Sequence, residues 1–208
     1  MVRLPIAAAI YMWYWLFRII FIIIFKLCFG LKAEGLGNLP KKTNFIIVAN
    51  HTSFLDATLV MAAVPRQIHC IALRGLYRIF WLRWFLRAVE ALPSGSSSNG
   101  AIELLHKNKN VGLFPEGGRS HHGKLREFKR GVALLAMRTG RPIVPCAIIG
   151  AYEAFPRKAK FPKFPLPIKV KIGKPIYLLK EACDLVDDLC LQSGTFKIRN
   201  AIKEMIYG

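Results

Sequence analysis

The chain has 208 residues, the size of one domain with a sizeable core and room for a short appended segment. Hydrophobic residues make up 53% of it, and 31 Lys and Arg against 12 Asp and Glu give a formal net charge of +19. Length and composition argue against several domains and against a freely soluble protein. The charge predicts an anionic partner, either nucleic acid or an anionic membrane surface.

The first predicted element is an apolar segment from Ile6 to Phe29, interrupted only by Arg18 and Lys26. As a helix it would be long enough to cross a hydrocarbon core of roughly 30 Å. No small-x-small cleavage site follows it, which disfavours a secretory signal peptide. A buried core helix stays open, as do two membrane arrangements: a spanning helix with Arg18 paired or snorkelling, and a helix lying in one leaflet. We favour a membrane anchor.

Basic residues are more frequent after this segment than before it. By the positive-inside rule the rest of the chain lies in the cytoplasm, at the inner membrane if the source is bacterial. We therefore predict a membrane anchor with a basic linker at residues 1–42 and a folded domain at residues 43–208.

Apolar runs and helical periodicity alternate through the rest of the chain, which predicts an α/β fold. Strands are predicted at 45–49, 67–73, 111–114, 143–149 and 168–172, the last as an edge strand because lysines alternate with apolar residues. Helices are predicted at 53–63, 76–89, 101–109 and 131–138, and one or two terminal helices, broken near Gly194, at 184–206. Loops are predicted at 93–100 and, rich in Pro and basic residues, at 155–167. The helix at 76–89 fits either a membrane interface or the core.

The first polar cluster, Asn50-His51-Thr52-Ser53-Phe54-Leu55-Asp56, follows the predicted strand at 45–49 directly. Histidine works as a general base near neutral pH, and a carboxylate on its second ring nitrogen fixes the tautomer. Five positions on a regular helix separate two side chains by about 140°. The pair therefore requires His51 in the strand-to-helix turn and Asp56 in the first helical turn. Thr52 or Ser53 as a helix N-cap beside an incidental histidine is the alternative.

The second polar cluster, Phe114-Pro115-Glu116-Gly117-Gly118-Arg119-Ser120, follows another predicted strand. Its two glycines allow a tight turn and close approach of the backbone to a ligand. Arg119 offers a planar donor fork for phosphate or carboxylate, and Glu116 could orient it or accept from a substrate hydroxyl. An ordinary turn with a surface ion pair could carry the same residues. Ends of buried strands are, however, where an α/β fold builds its active site.

These clusters and Val144-Pro145-Cys146-Ala147-Ile148-Ile149-Gly150 closely resemble three of the four motifs of the glycerolipid acyltransferase family. Its best-known members are 1-acylglycerol-3-phosphate (lysophosphatidic acid) acyltransferases. The resemblance runs from about residue 45 to residue 176 and preserves motif order and spacing. It implies a mixed sheet flanked by helices, an N-terminal hydrophobic membrane-anchor helix and an acyltransferase domain at 43–208.

The resemblance also implies direct transfer of a fatty acyl group from acyl-CoA or acyl-carrier protein to the sn-2 hydroxyl of 1-acylglycerol-3-phosphate, giving phosphatidic acid. His51 would take the hydroxyl proton and Asp56 would support it, without an acyl-enzyme, a cofactor or a metal. Pro145 and its motif would shape the donor side. The glycerol phosphate of the acceptor would be bound by the second polar cluster: Glu116, Gly117, Gly118, Arg119 and Ser120.

The family's second motif is altered in this chain. Leu73 and Gly75 stand at its lysine and glutamate positions, and Gly95 and Ser96 replace a later acidic–arginine pair. Arg74 could replace the lysine with a one-residue offset, which makes it a further candidate for substrate binding. The missing arginine is one commonly assigned to the acceptor phosphate. Another lysolipid, such as a lysophospholipid or a lyso-ornithine lipid, therefore stays open as the acceptor.

Other kinds of site fit the sequence poorly. Residues 118–125 match G-x-x-x-x-G-K, but Leu125 stands where a P-loop needs Ser or Thr. His121 and His122 are adjacent, and the five cysteines include no C-x-x-C pair, so we predict reduced thiols and no metal site. A lipase is disfavoured because no G-x-S-x-G nucleophile elbow occurs.

A non-catalytic basic protein that binds membranes or nucleic acid would also explain the charge. It would not require a histidine, two carboxylates and two glycines at the ends of strands. We therefore predict an enzyme whose positive charge attracts anionic membrane lipids and acyl-CoA or acyl-carrier protein, with no nucleic-acid partner. Acyl-chain preference and oligomeric state are not predicted.

Overall fold

A computed structural model describes residues 6–95, 97–178 and 188–208. The strands found there are β1 Lys32–Glu34, β2 Ile46–Ala49, β3 Ile68–Ala72, β4 Leu92–Pro93, β5 Asn110–Leu113, β6 Ile143–Ile149 and β7 Lys169–Ile172. They form one sheet in the order β1-β7-β6-β2-β5-β3-β4. Only β6 and β7 pair antiparallel, and the other neighbours in this described part are parallel. The predicted α/β fold with a mixed sheet is confirmed.

Helices cover both faces of the sheet. They are α1 Ile6–Phe29, α2 Asp56–Ala63, α3 Phe80–Ala88, α4 Ser97–His106, α5 Gly131–Thr139, α6 Ala151–Ala154 and α7 Asp188–Tyr207. Successive side chains of a strand point to opposite faces. Ile47 of β2 therefore packs with α1 and α2, whereas Ile46 and Val48 pack with α4, α5 and α7. Because both faces are covered, β2 is buried along its whole length.

Several predicted elements differ from the structure. The stretch predicted as a loop at 93–100 contains the start of α4, where Gly100 packs against Leu92, so packing overrides the low helix propensity of these residues. The helix α7 runs unbroken through Gly194, which lets it approach Ala133 of α5 closely. Residues 184–187 of the predicted helix lie outside the described residues. The strand β7 is not at the edge, because β1 pairs with its outer side.

The segment predicted as one helix at 76–89 divides into a 3-10 turn, Arg74–Arg78, and α3. Leu82 and Leu86 are buried, whereas Phe80, Trp81 and Trp84 are exposed. One face of this helix thus packs in the core, and the opposite face exposes aromatic side chains, which is the composition predicted for a membrane interface.

The N-terminal helix α1 is fixed to the folded part of the chain. The Arg18 guanidinium donates from Nε to the carbonyl oxygen of Val64 at 3.1 Å and from Nη2 to that of Ala62 at 3.3 Å, at the C-terminus of α2. Carbonyl groups there lack intrahelical partners, and the helix dipole favours a cation beside them. Arg18, the costly charge of the apolar segment, is therefore paired within the protein.

By length and composition, residues Tyr11–Phe29 of α1 could cross a membrane, with a mean hydropathy of 1.9. Only 17% of this stretch is buried, less than a core helix requires, so the helix indicates membrane association. The division of the chain at residue 42 stays a prediction, although Lys32–Glu34 is a strand of the main sheet.

The cysteines agree with the prediction only in part. Cys28, Cys70 and Cys146 are free thiols, as predicted. The prediction was wrong for Cys190, which is disulfide-bonded.

The hydroxyl of Tyr14 provides a test of how firmly α1 is fixed. It accepts from the backbone N–H of Ile68 in β3 at 3.0 Å, and the Tyr14 side chain is fully buried. Replacing Tyr14 by Phe leaves this buried N–H unpaired, and we expect the free energy of unfolding to fall by about 1–3 kcal/mol. Urea denaturation of the detergent-solubilised protein measures the change. The control Tyr11→Phe alters an exposed tyrosine on the same helix; equal losses in both variants would contradict this account of the docking.

Candidate active site

Both polar clusters lie at the same edge of the sheet. His51 follows the end of β2 and Glu116 follows the end of β5. These strands are parallel neighbours, so their carboxyl ends come together. The Asn50 side chain holds the end of β2 in place, since its amide donates to the carbonyl oxygen of Ile148 and its oxygen accepts from the Ile148 N–H.

The imidazole of His51 contacts the carboxylate of Asp56 directly. His51 Nδ1 lies 2.8 Å from Asp56 Oδ2, and the same oxygen accepts from the backbone N–H groups of Thr52 at 2.7 Å and Ser53 at 2.8 Å. An oxygen that accepts from two N–H groups is an acceptor for the ring as well, so Nδ1 donates and Nε2 keeps its lone pair. Asp56 is fully buried and is the first residue of α2, whereas 23% of the His51 side chain is exposed. This geometry gives a histidine with a fixed tautomer and an accessible basic nitrogen.

Glu116 holds the backbone of the histidine turn. Its Oε1 accepts from the His51 N–H at 2.7 Å, and its Oε2 accepts from the Arg126 N–H at 3.2 Å. Burial raises the pKa of the Glu116 carboxyl, and the two N–H donors oppose that shift. Glu116 therefore does not orient Arg119, as the sequence allowed; it connects the His51 turn to the segment after the second cluster.

The remaining residues of the second cluster complete this connection. The Ser120 N–H donates to the carbonyl oxygen of His51 at 2.8 Å, so the second cluster hydrogen-bonds both the N–H and the carbonyl group of His51. Gly117 has a φ of +70°, which glycine adopts without strain, and any side chain there would meet Lys129. The Phe114 ring stacks on the imidazole with 4.5 Å between the ring centroids.

A cleft of about 810 Å³ opens beside His51. Its inner wall is apolar and comes from β3, β5, α4 and α5, including Ile71, Leu113, Val132 and Leu135. Its outer part is lined by basic side chains: Arg119, Arg126, Lys129, Arg138, Arg157 and His121. The cleft thus combines buried or half-buried apolar residues, largely exposed basic side chains at its mouth and the imidazole of His51.

Arg119 lies at this mouth, with its guanidinium 5.7 Å from the centre of the Phe54 ring. Burial and the nearby charge of Arg157 lower the pKa of Arg119. No hydrogen bond or ion pair engages its guanidinium in the described part of the chain, which leaves the donor fork available to a ligand.

Five predicted site residues do not line the cleft. Asp56, Glu116 and Ser120 support the His51 turn through the hydrogen bonds described above, whereas Arg74 and Pro145 take no part in them. Arg74 is exposed in the 3-10 turn. Its backbone N–H donates to the Oγ of Ser94, a residue of the cleft wall, at 3.1 Å. Pro145 is buried within β6, where it packs against Gly173. Ser96, at the altered second motif, lies outside the described residues.

A second, almost wholly apolar groove of about 570 Å³ lies on the other side of the His51 turn. Aromatic side chains of α1 and α3 line it, together with Phe54 and Leu55 of the first cluster. Phe164 of the loop after α6 also contributes to its wall. The short turn that contains His51 and Phe54 therefore lies between the basic cleft and the apolar groove.

The sequence did not reveal most of the basic residues at the mouth, Arg157 above all. The sequence identifies the loop at 155–167 as basic, but the position of the loop beside the cleft depends on contacts between residues distant in sequence. Within the described ranges, no group of three or more His, Cys, Asp and Glu residues could hold a metal ion.

Three comparisons with known proteins agree with one another. A family model described as Acyltransferase matches residues 30–149. The 1-acyl-sn-glycerol-3-phosphate acyltransferase of Bacillus subtilis is 32% identical over 162 residues, which cover 74% of this chain and 78% of that protein. The enzyme of the same name from Limnanthes alba is 31% identical over 181 residues, 83% of this chain but 64% of its own length. This chain therefore spans slightly less than two thirds of that plant relative.

A solved structure is similar across nearly the whole chain. The crystal structure of the 1-acyl-sn-glycerophosphate (LPA) acyltransferase PlsC from Thermotoga maritima superimposes with a TM-score of 0.75 at 27% identity. The match covers 94% of this chain and 79% of that protein.

The role of Glu116 in holding the turn can be tested by Glu116→Gln. The glutamine NH₂ would face one of the two N–H donors, and the unpaired buried donor should lower the free energy of unfolding by about 1–3 kcal/mol. Denaturant titration measures this loss. The matched control Glu127→Gln changes an exposed carboxylate paired with Arg199, for which less than about 1 kcal/mol is expected. A Glu116→Gln protein as stable as the wild type would exclude the two-sided hydrogen bonding described above.

Proposed function

Because the chain belongs to the Acyltransferase family, we propose that it transfers a fatty acyl group to the sn-2 hydroxyl of 1-acylglycerol-3-phosphate and so makes phosphatidic acid. The observation that carries the proposal is the His51–Asp56 pair at the junction of a basic cleft and two apolar spaces. Relatives named for this reaction, at 31% and 32% identity, support the choice of acceptor.

In the proposed reaction His51 is the general base. Its Nε2 takes the proton of the acceptor hydroxyl while the oxygen attacks the thioester carbonyl of acyl-CoA or acyl-carrier protein. The new C–O ester bond forms, the C–S bond breaks, and the proton passes from His51 to the leaving thiolate. Asp56 keeps Nδ1 protonated and stabilises the imidazolium as it forms. Transfer is direct, so the reaction needs no acyl-enzyme, resident cofactor or metal.

The two apolar spaces suit a reaction that brings two acyl chains together. The inner part of the cleft could hold the chain of the donor beside His51. The groove between α1 and α3 could hold the chain of a lysolipid that enters sideways from the membrane. Under this arrangement only the headgroup of the acceptor has to leave the lipid interface, and the active site faces the cytoplasmic leaflet.

The acceptor headgroup is the finer part of the proposal. Arg119 is free to bind a phosphate, whereas the arginine of the second motif is absent. That absence favours one second candidate function, acyl transfer to another lysolipid such as lysophosphatidylethanolamine or lyso-ornithine lipid.

An acyl-transfer assay tests both the activity and the acceptor. Purified protein in detergent is given palmitoyl- or oleoyl-CoA with lysophosphatidic acid, lysophosphatidylethanolamine or lyso-ornithine lipid. We expect selective use of lysophosphatidic acid, and His51→Ala and Asp56→Ala should each lower kcat/KM on the order of 10²–10⁴-fold. Preference for another lysolipid would assign the protein to the second candidate function.

Two controls make this result specific. The variant His106→Ala removes an exposed histidine at the end of α4 and should leave the rate unchanged. Vesicle sedimentation should show that His51→Ala still binds anionic membranes, which separates an enzyme from a basic membrane-binding protein. Wild-type rates in both His51→Ala and Asp56→Ala would refute the proposed chemistry.

A further inference from the structure

The loop at 155–167, which joins α6 to β7, brings a basic side chain to the cleft that neither polar cluster supplies. Its first residue is tied to the His51 turn, because Ser53 Oγ donates to the carbonyl oxygen of Phe155 at 2.9 Å. Two residues later, Arg157 lines the mouth of the cleft together with Arg119. The position of Arg157 is therefore set by the same turn that holds His51.

A neighbouring histidine orients Arg157. The Arg157 Nη1 group donates to His121 Nε2 at 3.1 Å, and the carbonyl oxygen of His121 accepts from the Tyr152 hydroxyl at 3.0 Å. A nitrogen that accepts this bond belongs to a neutral imidazole. The positive charge of Arg157 is also the main cause that lowers the pKa of His121. The other N–H groups of Arg157 have no partner among the described residues.

Arg119 and Arg157 place two like charges at one side of the cleft. Neither forms an ion pair in the described part of the chain, and no Asp or Glu lines the cleft there. The charge of Asp56 also acts on Arg119, but less than that of Arg157, and Asp56 Oδ2 is occupied by His51 and two backbone N–H groups. Two guanidinium groups that repel each other and form no ion pair in the described part of the chain are typical of an anion site, and their donor forks match the oxygens of a phosphate.

The neighbouring apolar groove points to the lipid, rather than the donor, as the source of this phosphate. Phe54 faces Arg119 and also lines the groove, and Phe164 of the Arg157 loop lines it too. In 1-acylglycerol-3-phosphate the phosphate is attached to the carbon next to the one bearing the reacting hydroxyl, so it must bind close to His51. The phosphates of CoA are separated from the thioester by the whole pantetheine arm.

We propose that Arg157, oriented by His121, binds the acceptor phosphate together with Arg119 and takes over the contact that the altered second motif lacks. This inference rests on the proposed function and adds to it the residue that selects a phosphate monoester headgroup. His121 is a positioning residue that acts through Arg157.

Arg157→Ala tests the inference, with Lys160→Ala as the matched control because it removes the same charge from the same loop outside the cleft. The KM for lysophosphatidic acid should rise about tenfold or more in Arg157→Ala and stay nearly unchanged in Lys160→Ala. The KM for acyl-CoA should stay constant. Arg157→Lys should recover only part of the loss, since an ammonium lacks the planar fork. As a single substitution, His121→Ala should raise the KM for lysophosphatidic acid. In a protein that already carries Arg157→Ala, it should raise that KM little further.

The alternatives give different results. A rise in the KM for acyl-CoA with an unchanged acceptor KM would assign Arg157 to the donor phosphates and overturn the inference, as would unchanged values for both substrates. Donor-free binding separates this inference from the proposed function. Arg157→Ala should weaken equilibrium binding of lysophosphatidic acid about tenfold, but not binding of 1-acylglycerol, whether or not the wild type transfers acyl groups. Equal binding of lysophosphatidic acid by the wild type and by Arg157→Ala would overturn the inference. Binding of inorganic phosphate by the wild type as tightly as the lipid would also overturn it. Neither outcome would bear on the proposed acyl-transfer activity.

Discussion

The buried carboxylate of Asp56 constrains the whole histidine turn. Burying a charged group is costly unless hydrogen bonds replace its hydration. Three donors converge on its Oδ2, the backbone N–H groups of Thr52 and Ser53 and the ring Nδ1 of His51. Satisfying that oxygen bends residues 51–55 over the carboxylate, places the start of α2 at Asp56 and sets the imidazole at the mouth of the cleft. The end of β2, the start of α2 and the orientation of His51 thus depend on one buried group.

Glu116 extends this constraint to the neighbouring strand. Because β2 and β5 are parallel neighbours, a carboxylate just after β5 reaches the backbone N–H of His51, and Ser120 returns a hydrogen bond to the His51 carbonyl oxygen. Both the ring and the backbone of the histidine are therefore fixed before any substrate binds. A general base needs such positioning, since the reacting atoms must meet within hydrogen-bond reach. Hydrogen bonds to both oxygens of Glu116 and to Oδ2 of Asp56 offset part of the cost of burying the two carboxylates, whereas Asp56 Oδ1 has no hydrogen-bond partner among the described residues.

Features encoded locally could be predicted from the sequence. The apolar runs that became β2, β5 and β6 identified central strands, and the five-residue spacing placed His51 in a turn with Asp56 in the first helical turn. The separation of Pro145 from the cleft could not be predicted, because it depends on which face of β6 meets the residues after β7. The position of Arg157 depends on a hydrogen bond between Ser53 and Phe155, whose sequence separation is 102 residues. Local patterns carry no information about contacts at that distance.

The tautomer of His51 tests the central claim most directly, and nitrogen NMR of protein labelled at its five histidines can measure it. The His51 signal is assigned by its loss in His51→Gln. The account requires that neutral His51 carries its proton on Nδ1, bonded to Asp56, with Nε2 unprotonated, and that Asp56→Ala abolishes this preference. A neutral His51 protonated on Nε2 would contradict the account, because no basic nitrogen would then face the acceptor hydroxyl. A tautomer unaffected by loss of the Asp56 carboxylate would contradict it as well, because Asp56 would then not be the group that fixes the ring.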